Sequence, residues 1–195
     1  MHITLISTSM ETDSQTLKVS QYLEKTLKLK DCTTDLYNLY DLKLPFFDPN
    51  EKNQIWEEIK PVLVKSDGFI FAAPEWNGSA SPMLMNFLQY RTQEELAHKP
   101  VLLVSISAGR GGANPILQMR QYGYKNNRLL YIPEHLIVRN VETVMNKTAP
   151  ENESDTFIRN RADYALDILL AYAKSQKTLR QNTDFRFKEF GNGMS

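Results

Sequence analysis

The chain has 195 residues, enough for one domain with a substantial core and short for two. Hydrophobic residues make up 42% and charged residues 24%, and 23 basic side chains balance 23 acidic ones. A neutral chain carries no electrostatic footprint for nucleic acid or an anionic membrane, no apolar run is long enough to span a bilayer, and the lone Cys32 excludes an intrachain disulfide or a cysteine-built metal site.

Met1 to Ser7 has neither a basic n-region nor an apolar h-region, so it reads as a first strand (His2 to Ser7) of a cytoplasmic protein. Val19, Leu23 and Leu27 then recur every four residues on one face of a predicted helix, with Tyr22 and Thr26 alongside. Thr33 to Leu39 reads as a second strand, and Ile55, Ile59, Val62 and Leu63 as the inner face of a second helix. Asp67 to Ala73 is apolar throughout, as a strand covered on both faces must be. Pro82 fits the first position of a helix, where its missing N–H costs nothing. Val101 to Ile106 is the next buried strand, followed by Ala113, Ile116, Leu117, Arg120 and Tyr124 at helical spacing. Leu129 to Val138 is interrupted by Pro133 and is expected as two pieces with a bend. Ile158, Ala162, Ala165, Leu166, Leu169 and Ala173 mark a long amphipathic helix. The domain is expected to span 1–175, with a tail over 176–195 in which Phe185-Arg186-Phe187 could be a small added strand or an arm onto a partner subunit.

Strands alternating with helices predict an α/β fold, a three-layer sandwich around a doubly wound, five-stranded parallel sheet. Such sheets bind ligands beyond the carboxyl ends of their strands, so the loops after the first, third and fourth predicted strands are the places to look. The first, Ser7 to Thr16, offers hydroxyls just before a helix, suited to a phosphate. Its Asp13 or Ser14 could equally serve only to cap that helix. The second, Pro74-Glu75-Trp76-Asn77-Gly78-Ser79, sets an aromatic beside an Asn-Gly tight turn, which suits a planar heterocycle or else packs Trp76 on the protein's own surface. The third, Ser107 to Gly112, holds three glycines in four positions, letting a ligand approach the backbone. Ser105-Ile106-Ser107-Ala108-Gly109 also raises a serine hydrolase, with His135 and Asp155 as partners, but the first position of a nucleophile elbow should be glycine. His2, His98 and His135 lack metal-pair spacing, so no metal is expected.

These loops resemble the NADPH-dependent FMN reductase family, which includes quinone, azo-dye and chromate reductases. Pro74 to Ser79 is close to that family's Pro-Glu-Tyr-Asn-Gly-Ser, with Trp76 in the tyrosine position, and the likeness continues through Pro82, Leu84, Asn86 and Tyr90. Asp41-Leu42 with Leu44 to Asp48, and Ser107 to Gly112 with Gln118-Met119-Arg120, look like two further family segments. The resemblance covers roughly residues 1–140. It implies a flavodoxin-like fold, FMN as cofactor, NADPH or NADH as electron donor, a small oxidised acceptor, and ping-pong hydride transfer. The implied cofactor residues are Ser9, Glu11, Ser14 and Thr16 at the phosphate, Pro74, Glu75, Trp76, Asn77 and Gly78 at the ring, and Ser107, Gly109 and Gly112 at its other edge. No catalytic acid or base is assigned, and Glu75 is expected to serve structure. The family also implies a homodimer or homotetramer formed across Pro82 to Arg91, where Met83, Met85, Phe87 and Tyr90 exceed what one face needs.

One departure stands out: the arginine of the family's phosphate loop is replaced by Glu11. A full charge about 5 Å from a phosphate charge at an effective dielectric near 20 costs about 3 kcal/mol, if Glu11 turns inward. Loss of FMN binding, leaving a domain that acts through protein contacts, is the alternative this residue raises.

Overall fold

Hydrophobic alternation along each strand builds the core in the computed structural model, which describes residues 1–90 and 92–191. Strands β1 (His2–Ser7), β2 (Thr33–Asn38), β3 (Gly68–Trp76), β5 (Pro100–Ile106) and β6 (Leu130–Val138) form a parallel sheet in the order β2-β1-β3-β5-β6. The two-residue β4 (Ser79–Ala80) pairs antiparallel with the end of β3. On one face, Ile3 and Leu5 of β1, Ile70 and Ala72 of β3 and Leu102 and Val104 of β5 pack against helices α1 (Gln15–Leu29) and α7 (Glu153–Asn182). On the other, Ile6, Phe69, Phe71, Val101 and Leu103 pack against α3 (Gln54–Lys65), α4 (Pro82–Tyr90) and α6 (Ala113–Arg120). The period of two, buried both ways, is what a covered parallel sheet demands. The short helices α2 (Leu39–Leu42) and α5 (Gln93–Leu96) complete the chain order. This is the flavodoxin-like order, in which strand direction of travel reverses between β1 and β3.

Several elements differ from their expected form. Leu39 starts α2 instead of ending β2, because Asn38 leaves the strand as a helix N-cap. Trp56, not Ile55, joins Ile59 and Leu63 in the core. The inner face of α6 is Ile116 and Met119, while Leu117 is 63% exposed and Tyr124 lies beyond the helix end. The Pro133 segment is one strand, not two pieces, but its pairing with β5 is irregular where the bend was expected, since Tyr131 pairs with Val101 and His135 with Leu103; an edge strand can hold a residue without an N–H there. Helix α7 runs through position 175 to Asn182, so no boundary falls there. Phe185 and Phe187 form no strand. They stack on His98 at centroid distances of 3.9 and 6.0 Å, and the Phe190 and Gly191 carbonyls accept from Arg128 and Gln93, so the described part of the tail folds back on its own chain. Residues 192–195 of that tail lie outside the described residues. Among the described residues, no helix is long and apolar enough to cross a membrane.

Candidate functional site

The loop after β1 is stitched to the sheet at once, since the Thr8 N–H and hydroxyl both donate to the Ala72 carbonyl in the middle of β3, at 2.9 and 3.1 Å. Ser9 is buried and its Oγ accepts from the Glu11 N–H at 3.3 Å. Ser14 is the N-cap of α1: its Oγ accepts from the Leu17 N–H at 3.1 Å. A capping hydroxyl still has its own proton to donate, so capping and anion binding are compatible. Thr16 follows in the first turn, where the N–H groups of Gln15 and Thr16 have no intrahelical acceptor. The hydroxyls of Ser9, Ser14 and Thr16, two N–H groups without an intrahelical acceptor and the positive end of a 15-residue helix make a place suited to an anion. Glu11 is exposed at the rim. In water-like surroundings its repulsion at about 5 Å falls to about 1 kcal/mol, too little to silence the cradle.

Pro74, Glu75 and Trp76 belong to β3, not to a loop, and the turn that follows is a hairpin. Asn77 and Gly78 have φ of 50° and 73°, and Trp76 faces Ser79 across the turn, the type I′ geometry that Asn-Gly favours. The hairpin is held from α6, where Gln118 Oε1 accepts from the Ala80 N–H at 2.7 Å and the Asn114 side chain lies beside Gly78. Trp76 is 45% exposed, leaving an aromatic surface uncovered at the sheet edge.

The glycine loop is fixed from two sides. Glu75 Oε2 accepts from the Gly112 N–H at 2.6 Å, a short charge-assisted bond that ties the hairpin to this loop. Beyond β6, Arg139 Nε donates to the Arg110 and Gly111 carbonyls at 2.8 and 2.9 Å, and the Asn140 N–H donates to the Gly109 carbonyl at 2.9 Å. Gly112 has φ of 97°, and a Cβ there would sit 2.4 Å from Ile137, so both backbone and space require glycine. Gly109 faces nothing within 4 Å of where a Cβ would stand, which leaves its outer side open. Ser107 is buried at the base of the loop. The hydroxyls of Ser7 and Ser105 are also buried and have no hydrogen-bond partner among the described residues, on the two strands that flank β3.

Ser9, Ser14, Thr16, Pro74 to Gly78, Ser107, Gly109 and Gly112 thus converge on one sheet edge, at the reversal of strand order. The anticipated role of Glu75 is specific in the structure: its carboxylate is spent on the Gly112 brace. Sequence reasoning missed Arg139 and Asn140. The signal in the sequence is that the last parallel strand ends at the same edge as the others, which brings its loop to the site. Lys18 of α1 also reaches this fourth loop, donating to the Val141 and Val144 carbonyls and to Asn146. Burial pushes its ammonium down, against the pull of Asp155 and Glu142.

A hydrolytic triad is not assembled. His135 pairs with Leu103, four residues or about 13 Å along the strand from Ser107, and Asp155 is committed to Arg159 at 2.7 Å. Of the residues expected to face a partner subunit on α4, Phe87 is buried against Trp56 and Phe71, and Tyr90 stacks on Trp56 and donates to the Pro45 carbonyl at 2.9 Å. Those two belong to their own subunit; Met83 and Met85 are half-buried, and Arg91 lies outside the described residues. Asn86 and Tyr90 instead pin the Pro45–Phe47 segment beside the site.

The family model of NADPH-dependent FMN reductases matches residues 1–143. The chain is 35% identical to the NADPH azoreductase of Bacillus sp. (strain OY1-2) over 89 residues, 44% of this chain, and spans only 50% of that relative's length. It is 21% identical to the FMN-dependent NADPH-azoreductase of Staphylococcus aureus (strain USA300), over 88% of this chain and 94% of the other. Among solved structures, the flavoenzyme NAD(P)H:(acceptor) oxidoreductase FerB of Paracoccus denitrificans superposes with a TM-score of 0.71 at 19% identity, covering 90% of this chain and 98% of that one.

Proposed function

The chain belongs to the NADPH-dependent FMN reductase family, and we propose that it is an oxidoreductase that holds FMN at the three-loop edge and passes electrons from NAD(P)H to a small acceptor. The observation that carries the reading is the convergence of the α1 anion cradle with a Glu75-braced glycine loop and a half-exposed Trp76. A phosphate fits the cradle by chemistry, because Ser9, Ser14 and Thr16 supply donors and Glu11 stays in solvent. A planar ring fits against the Pro74–Gly78 hairpin, with Ser107, Gly109 and Gly112 at its other edge.

When bound, FMN supplies two-electron chemistry that no side chain can, in a ping-pong exchange between NAD(P)H and an acceptor such as a quinone, an azo compound or free flavin. The chain's own contribution is orientation. The hairpin presents the backbone N–H groups of Asn77 and Gly78 at the edge, and the Glu75 and Arg139 braces keep the glycine loop from collapsing into the space a ring needs. No side chain is assigned as proton donor, consistent with hydride chemistry. Action as a cytoplasmic homodimer or homotetramer completes the proposal, with Met83 and Met85 offered to a second copy.

The test is titration of the purified protein with FMN, followed by flavin fluorescence, then NAD(P)H oxidation with a quinone and with an azo dye. Saturable micromolar binding and acceptor-dependent turnover are expected. A protein that stays colourless and leaves FMN fluorescence unchanged at tens of micromolar overturns the flavoenzyme reading.

A further inference from the structure

Lys18 is half-buried on α1, one helical turn beyond the N-cap Ser14, whose carbonyl accepts from the Lys18 N–H at 3.0 Å. Its ammonium donates to the Val141 carbonyl at 2.7 Å, the Val144 carbonyl at 3.0 Å and Asn146 Oδ1 at 2.8 Å, all in the loop after β6. An ammonium has three donors, so all of them are spent on that one loop. We propose that Lys18 is a positioning residue that couples the anion cradle at the start of α1 to the glycine loop at the ring's edge, so that filling one half of the flavin site favours filling the other. The proposal rests on the flavin reading above and deepens it, since it concerns how the two halves of that site act together.

Every link between the two halves is a hydrogen bond. The bond from the Lys18 N–H to Ser14 is the first of the helix, so ordering the first turn fixes where the Lys18 side chain begins. From its ammonium the path enters loop 139–146, which is itself closed: the Thr143 N–H donates to the Asn140 carbonyl at 2.9 Å, and Asn146 Nδ2 to the Glu142 carbonyl at 2.8 Å. The first two residues of this loop hold the glycine loop, Arg139 through the Arg110 and Gly111 carbonyls and Asn140 through that of Gly109. Val141 carries contacts both ways, its carbonyl accepting from Lys18 and its N–H donating to the Ser107 carbonyl at 3.3 Å. Among the described residues, no other α1 side chain hydrogen-bonds this loop.

Coupling between two binding places is reciprocal. An anion that orders the first turn of α1 also orders the Lys18 contact, and a ring that orders the glycine loop orders the same contact from its other end. Whichever arrives second finds less left to order and binds more tightly. A plain structural brace would weaken both halves alike without linking them; only a coupler makes the affinity of one depend on the other.

Riboflavin and inorganic phosphate together make up FMN, so the full chain freed of flavin can be offered them separately. Riboflavin affinity is read from its fluorescence over a phosphate series taken to saturation, at ionic strength held constant with chloride. In the wild type, phosphate should tighten riboflavin about fivefold, the lower end of ordinary coupling between sites. Lys18→Met should bring that factor to one. Lys18→Arg, which keeps a cation with several donors, should retain it. Asn146→Ala removes one of the three acceptors from an exposed loop and should fall between. A factor of one in the wild type overturns the proposal, as does an unchanged factor in Lys18→Met, or in Asn146→Ala where Lys18→Met does not fold. Hydrogen exchange of the bonded Gly112 and Asn140 amides gives the same reading without flavin. Phosphate should slow both about fivefold in the wild type and neither in Lys18→Met, and unchanged exchange in the wild type also overturns the coupling. Failure of both riboflavin and FMN to bind, while phosphate still slows these amides, refutes the flavin reading and leaves the coupling standing.

Discussion

The Glu75–Gly112 brace can be broken from either end, and the two breaks should count as one. Glu75→Ala deletes the acceptor of a 2.6 Å charge-assisted bond, which contributes about 1.5–3 kcal/mol. Gly111→Ala attacks the same bond sterically, since its Cβ would stand 1.9 Å from Glu75 Oε2 and the carboxylate must swing away. The Gly111 backbone has no positive φ and accepts alanine, whose stiffening of the unfolded chain offsets about 0.4–1 kcal/mol. Each single change should therefore weaken FMN binding by roughly tenfold to a hundredfold, with Gly111→Ala the milder. The double variant should be no weaker than Glu75→Ala alone, giving a coupling energy close to the whole bond. FMN fluorescence titrations and urea unfolding of the four proteins measure both quantities. Additive losses in the double variant would refute the argument, because they would mean that Gly111 acts on something other than Glu75.

Glu11→Arg should tighten FMN by no more than about tenfold, because the exposed carboxylate repels through water, whereas a hundredfold gain in the same titration would place Glu11 inside the cradle. Asp155→Ala should cost about 3–5 kcal/mol in urea unfolding, since it strands the buried Arg159 and frees two N–H groups; a loss under 1 kcal/mol would contradict the assigned pairing. Lys99 is 3% exposed and, among the described residues, donates only to the Leu63 and Val64 carbonyls at the end of α3; burial, with Arg180 nearby, pushes its ammonium down to about 7. Between about pH 7 and 10 the unfolded chain then binds the proton that the folded one releases, so this residue's contribution to stability rises with pH, by up to about 1.4 kcal/mol per unit. Relative to Lys99→Met, wild-type stability should climb over that window in pH-dependent urea melts, and parallel curves would show that the folded amine keeps its proton.

The amino-acid order alone determined the class of fold, because apolar runs buried on both faces and helices with a four-residue repeat leave a doubly wound sheet as the arrangement that covers both. It also determined where the loops suited to a ligand lie, since turn chemistry is local: Asn77-Gly78 asks for a tight turn and Asp13 or Ser14 for a helix cap, while the structure decided that the turn closes a hairpin and that Ser14 is the cap. What only the tertiary structure decided is which groups meet across elements. Glu75 and Gly112 are 37 positions apart, and Arg139 lies 28 and 29 positions from the carbonyls it holds; no periodicity links them, and only the strand order β1-β3-β5-β6 sets their loops side by side. The direction of Glu11 belongs to the same class, because a side chain's exposure depends on what packs beside it. So does the assignment of Phe87 and Tyr90 to their own core, for a hydrophobic residue signals that it needs cover, and the fold decides whether that cover comes from its own chain or from another.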